Sequence, residues 1–131
     1  MDRIKFEKAI SEALKEFPAD MLEKLKNVAI VYSNKPSQYQ KKQLGCFKDV
    51  LILGLYEGIP QIKRGGYNKA MPDKITLFRH NIEIVAQGNK ETIKKIIKET
   101  IWHEVAHHFG MDEKEIQKTK QKEKYEKNIH F

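Results

Sequence analysis

Residues 90–110 read Lys90-Glu-Thr-Ile-Lys-Lys-Ile-Ile-Lys-Glu-Thr-Ile-Trp-His-Glu-Val-Ala-His-His-Phe-Gly110. Ile93, Ile96, Ile97, Ile101 and Val105 recur at three- and four-residue spacing. That period predicts one amphipathic helix over Lys90–Phe109, with its isoleucines turned to a core. A long helix of this kind needs a partner layer, and the β-branched runs upstream offer a small sheet.

The last turns of the same helix carry His103-Glu-Val-Ala-His107, with Gly110 and Glu113 beyond, a pattern of HExxHxxGxxE. On a helix, positions i and i+4 share a face, with Cβ atoms about 6 Å apart. His103 and His107 can therefore grip one ion. Glu104 beside them is placed to act as a general base on water. Neutral imidazoles suit a tetrahedral Zn²⁺, and three protein ligands with a fourth position left open mark a catalytic site. Gly110 lets the chain turn back and deliver an acid. Glu113 is the favoured third ligand and Asp112 the alternative, although Asp112 also suits an N-cap. Glu123 and Glu126 are more distant candidates. His108 is rotated about 100° from His107 and reads as a neighbour of the site, not a ligand. A further stabiliser of oxyanion charge is expected, and Arg64, Tyr67, Arg79 and His80 are candidates among which the sequence does not choose.

The 131 residues suit a single domain, 1–131, with a tail from about 120 that frays. Hydrophobic residues make up 40% and charged residues 33%, with no apolar run long enough to span a bilayer. The first residues alternate charge with apolar side chains, unlike a secretory signal, so a cytoplasmic protein is expected. Cys46 is the single cysteine, which rules out an intramolecular disulfide and a four-cysteine zinc site; it reads as a buried or inert thiol. The net charge of +7 invites a nucleic-acid partner. Lysine supplies nearly all of it, interleaved with glutamate, and arginine occurs only at positions 3, 64 and 79. Arginine is the better bidentate reader of phosphate and base edges. No specific nucleic-acid partner, no membrane partner and a monomer are the expectations.

Outward from the helix, residues 2–16 carry Phe6, Ile10, Ala13, Leu14 and Phe17 at helical spacing, and Asp20–Lys26 reads as a second short helix after Pro18. Val28–Tyr32 reads as a strand and Lys35–Lys48 as a loop. Val50–Tyr56 reads as another strand, with Gly54 allowing a bulge or close packing. Glu57–Pro72 is dense in glycine and proline and reads as a long loop, of a kind usually functional or disordered. Lys74–Phe78 alternates and reads as a strand, His80–Gln87 as a short helix, and Asp112 opens a final helical stretch to about Lys127. The order gives an α+β fold: a short mixed sheet packed against helices, one of them the HExxH helix.

Three stretches together resemble the small single-domain bacterial zincin-like metallopeptidases, or minimal zincins. They are Leu53-Gly-Leu-Tyr-Glu-Gly-Ile-Pro60, Met71-Pro-Asp-Lys-Ile-Thr-Leu-Phe-Arg79 and His103–Glu113. The likeness covers roughly residues 1–120. It implies a compact zincin core, zinc on His103 and His107, and catalysis by Glu104. The family pattern is HExxHxxGxxD, whose last Asp binds zinc; position 113 here is Glu. The implied activity is zinc-dependent hydrolysis of peptides or unfolded protein segments. In zincins the cleft lies beside an edge strand to which an extended peptide can add, and Lys74–Phe78 is the expected edge. The competing reading is a non-catalytic zinc-binding module that regulates or binds peptides, against which an intact Glu104 counts.

Overall fold

The computed structural model describes residues 1–45, 51–58, 72–108 and 129–130. Asp2 caps the first helix, accepting the Lys5 backbone N–H at 2.8 Å. Helix α1 runs Arg3–Lys15 and buries an apolar stripe of Phe6, Ala9, Ile10 and Ala13. Helix α2, Ala19–Lys24, follows Pro18, whose fixed φ suits a helix start. Strand β1 is Val28–Ser33. An edge-on contact between Phe6 and Tyr32, centroids 5.2 Å apart, ties α1 to β1.

The expected loop over Lys35–Lys48 instead contains a helix, α3, over Gln38–Gln43. Ser37 and Gln40 form a reciprocal capping box that satisfies two otherwise unpaired N–H groups. Gln40 also donates to Glu57 at 3.0 Å, which docks α3 on the sheet.

The single strand expected over Val50–Tyr56 is divided into β2, Leu51–Ile52, and β3, Gly54–Glu57. The break has a physical cause at Ile52. Its carbonyl accepts a buried hydrogen bond from Asn81 Nδ2 at 2.8 Å, while the Leu53 carbonyl accepts the Phe78 N–H at 2.9 Å. The chain here passes from one pairing partner to another. Strand β4 is Asp73–Phe78, and it continues directly into helix α4, Arg79–Ala86. Gln87 at φ 54° and Gly88 at φ 74° close α4 in the left-handed manner typical of helix ends. Asn89 Oδ1 then accepts the Thr92 N–H at 3.0 Å and starts helix α5, Lys90–His108. A final short strand, β5, Ile129–His130, pairs in parallel with β2.

The main sheet has the order β1-β4-β3. β1 runs parallel to β4, with Ile30 opposite Ile75, and β3 runs antiparallel to it, with Tyr56 opposite Ile75. The small mixed sheet and the α+β class agree with the sequence expectation. The position of β4 does not: alternation predicts an edge strand, and β4 is the central one. Its residues Ile75, Thr76, Leu77 and Phe78 are all buried, so the polar alternation of Lys74 and Thr76 is not a solvent face. Among the described residues, the edges of this sheet are β1 and β3.

Helix α5 packs against α1, α4, β3 and β4. Ile93, Ile96, Ile97, Ile101 and Val105 have no exposed surface, as the helical spacing requires. They join Phe6, Ala13, Leu53, Ile75, Leu77 and Ile82 in one hydrophobic cluster. The last turns of α5 lead out of this core and carry the candidate site. Cys46, most of the loop over 57–72 and the helical stretch expected from Asp112 lie outside the described residues. No helix among the described residues is long and apolar enough to cross a membrane.

Candidate metal centre

His103 and His107 lie one turn apart on α5, their ring centroids 4.3 Å apart and their planes tilted by 52°. His103 is half-buried and His107 exposed. Two imidazoles that converge without stacking flat suit a shared cation. Between them in sequence, Glu104 turns inward and is only 6% exposed.

The environment of Glu104 is set by the close approach of α5 to β3. A Cβ built on Gly54 would collide with the Thr100 Cγ2 methyl, so glycine is what lets helix and strand meet there. Thr100 is held in turn by its hydroxyl, which donates to the Ile96 carbonyl at 2.7 Å. One turn further along α5, Glu104 meets β3. Burial pushes its carboxyl up to about 8, and a hydrogen bond from the Tyr56 backbone N–H works in the opposite direction. Glu104 Oε1 is buried with no hydrogen-bond donor among the described residues. A buried carboxylate oxygen without a donor is costly unless a proton, water or cation meets it.

A second group of side chains surrounds the end of α5. The Tyr56 hydroxyl donates to Asp73 Oδ2 at 2.9 Å. The Tyr56 ring stacks on His108, with centroids 3.9 Å apart and planes within 14°. His108 Nε2 lies 3.9 Å from Asp73 Oδ2. Burial first, then the Asp73 carboxylate, raises the Tyr56 hydroxyl above the ordinary phenol range. The expectation that His108 stands beside the His pair and faces elsewhere agrees with this contact. Sequence reasoning misses Tyr56 and Asp73 as members of this group. They belong to different strands, and only the antiparallel register of β3 on β4 brings them together.

Arg79 and His80, two of the oxyanion candidates, open helix α4. They follow the C-terminal end of β4, whereas Tyr56, Asp73 and His108 gather at its N-terminal end. Arg79 instead donates to Asn34 at 3.3 Å and lines a groove between α1 and β1 with Arg3 and Tyr32. Arg64 and Tyr67 lie outside the described residues, as do Gly110, Asp112, Glu113, Glu123 and Glu126. Among the described residues no three His, Cys, Asp or Glu side chains converge closely enough to hold a metal. The pair of imidazoles nevertheless fits the nitrogen-donor chemistry of a catalytic zinc, and the buried carboxylate stands beside it.

Comparison with known proteins gives an independent result. Residues 25–122 match the family model described as zincin-like metallopeptidase. No curated protein matches the chain.

Proposed function

Because the chain belongs to the zincin-like metallopeptidase family, we propose that it hydrolyses peptide bonds with zinc held by His103 and His107. Glu113 is proposed as the third ligand, with Asp112 as its alternative, and Glu104 as the general base. The observation that carries this reading is the pairing of two adjacent imidazoles with a buried carboxylate whose Oε1 meets no donor among the described residues.

Bound zinc supplies a Lewis acid that polarises the scissile carbonyl and makes water more acidic. The Glu104 carboxylate takes one proton from the water whose oxygen attacks the carbonyl carbon. As the C–N bond breaks, the same carboxyl group passes that proton to the departing amine nitrogen. Glu104 can do this only when ionised, and its burial opposes ionisation. Positive charge next to it favours the ionised form, so base and cation suit one another. The Tyr56 N–H favours the ionised carboxylate from the strand side.

Substrate recognition is proposed at β3. It is the edge strand beside the HExxH helix, and among the described residues it pairs only with β4. An extended peptide or an unfolded segment laid along that edge runs past Glu104. A zinc-binding module without turnover is the weaker reading. A binder gains nothing from Glu104, whose burial costs stability.

The deciding experiment is digestion of an unbiased peptide library by the purified protein and by Glu104→Ala, with metal analysis of both and of His103→Ala. About one zinc per chain is expected in the first two and none in His103→Ala. Cleavage should vanish in Glu104→Ala. Wild-type protein that stays zinc-free after incubation with the ion sinks the metal reading. Zinc-loaded protein that cuts no peptide in the library favours the binding module.

A further inference from the structure

Tyr56 touches the HExxH segment on both sides of His107. Its backbone N–H bonds to the Glu104 carboxylate, and its ring lies flat against His108. The Tyr56 hydroxyl donates to Asp73 Oδ2, and His108 Nε2 lies 3.9 Å from the same oxygen. Two strands and the last turn of α5 are thereby closed into one ring of contacts.

We propose that Tyr56, Asp73 and His108 form a positioning clasp for the metal ligand His107. The clasp rests on the reading of His103 and His107 as zinc ligands. His107 is exposed on the final turn of α5, and terminal turns open at little cost because their last carbonyls lack helical partners. His108 directly follows His107, so pinning its ring to Tyr56 fixes the backbone from which His107 projects. The turn is then ordered ahead of the ion, and binding does not have to supply that ordering. The clasp also relates His107 to Glu104, since one strand residue, Tyr56, meets both the Glu104 carboxylate and the residue next to His107. None of the three clasp residues is assigned a bond to the metal. They act through the placement of His107.

The test is competition with a chromophoric zinc chelator, using wild type, His103→Ala, His108→Ala, His108→Phe and Tyr56→Phe. Each zinc-free protein is also melted by circular dichroism. His108→Ala is expected to bind zinc about 10- to 100-fold more weakly, the range typical of groups that orient a ligand. His108→Phe keeps an aromatic ring on Tyr56 and cannot ligate, so it should return to within about threefold of wild type. Tyr56→Phe keeps the stack and loses only the bond to Asp73, and should weaken binding by less than His108→Ala. A contact that merely stabilises the fold would lower the melting temperature of zinc-free His108→Ala and leave its zinc affinity at the wild-type value. That result overturns the clasp, as does a failure of His108→Phe to recover. If His108→Ala does not fold, wild-type affinity in Tyr56→Phe overturns the role of Asp73. If wild type binds zinc no better than His103→Ala, the zinc reading itself has failed and the clasp falls with it.

Discussion

Thr100 on α5 fills with its Cγ2 methyl the space that any side chain on Gly54 would need. This contact sets the distance between the HExxH helix and β3, and with it the burial of Glu104 one turn later. Gly54→Ala is expected to destabilise the protein by about 1–3 kcal/mol, the usual cost of forcing a methyl into a packed interior. Thr100→Ser removes the obstructing methyl and keeps the hydroxyl that bonds to Ile96. The double variant should therefore recover most of the loss, a non-additivity readable by urea denaturation of the four proteins. Additive losses would mean that Gly54 is needed for some other reason.

The raised carboxyl of Glu104 links stability to pH. In the zinc-free folded protein it titrates near 8, and in the unfolded chain near the ordinary value of about 4.3. Between these values the folded state holds the proton and the unfolded state does not. Its contribution is full below about 4.3 and is lost as pH rises towards 8. Glu104→Gln has no such proton to lose. Measured with a chelator present, the urea midpoint of wild type should fall more between pH 5 and pH 9 than that of Glu104→Gln. The difference should be on the order of a few kcal/mol. Parallel pH profiles for the two proteins would show that the Glu104 carboxyl is solvated in the folded state.

The third ligand is open to direct comparison of neighbours. Glu113→Ala is expected to weaken zinc binding more than Asp112→Ala. Its loss should exceed the roughly 10- to 100-fold typical of outer-shell groups. The reverse order would assign Asp112 in its place. Equal, near-wild-type affinity in both variants would direct attention to Glu123 and Glu126.

Asn81 joins α4 to the break between β2 and β3 through its buried bond to the Ile52 carbonyl. Asn81→Ala leaves that carbonyl without its donor and should cost about 1–3 kcal/mol. A thermal melt checks this, and a shift too small to resolve would mean that water or the chain re-pairs the carbonyl. Zinc affinity, compared among folded molecules, should change little, because Asn81 lies near the end of β4 away from Asp73.

Much of the site is legible in the amino-acid sequence because its information is local. The spacing of His103 and His107 is one helical turn, and the run of isoleucines needs only the helical period to define a buried face. Helix α3 is equally local, since Ser37 and Gln40 stand at capping-box spacing; the polarity of residues 35–48 suggests a loop and masks that signal. The strand order is of a different kind. Lys74–Phe78 alternates as an edge strand does, yet it takes the centre because β1 and β3, from either side, both pair with it.

The amino-acid sequence by itself determined the helix, the two imidazoles one turn apart and the acid between them, because each depends on neighbours within a turn or two. Tertiary structure alone decided that β3, and not β4, is the sheet edge beside the HExxH helix. It decided that the Gly54–Thr100 contact buries Glu104, and that Tyr56 and Asp73 meet His108 around the last turn of α5. Those are contacts across tens of residues, governed by strand register and by the space left between packed layers.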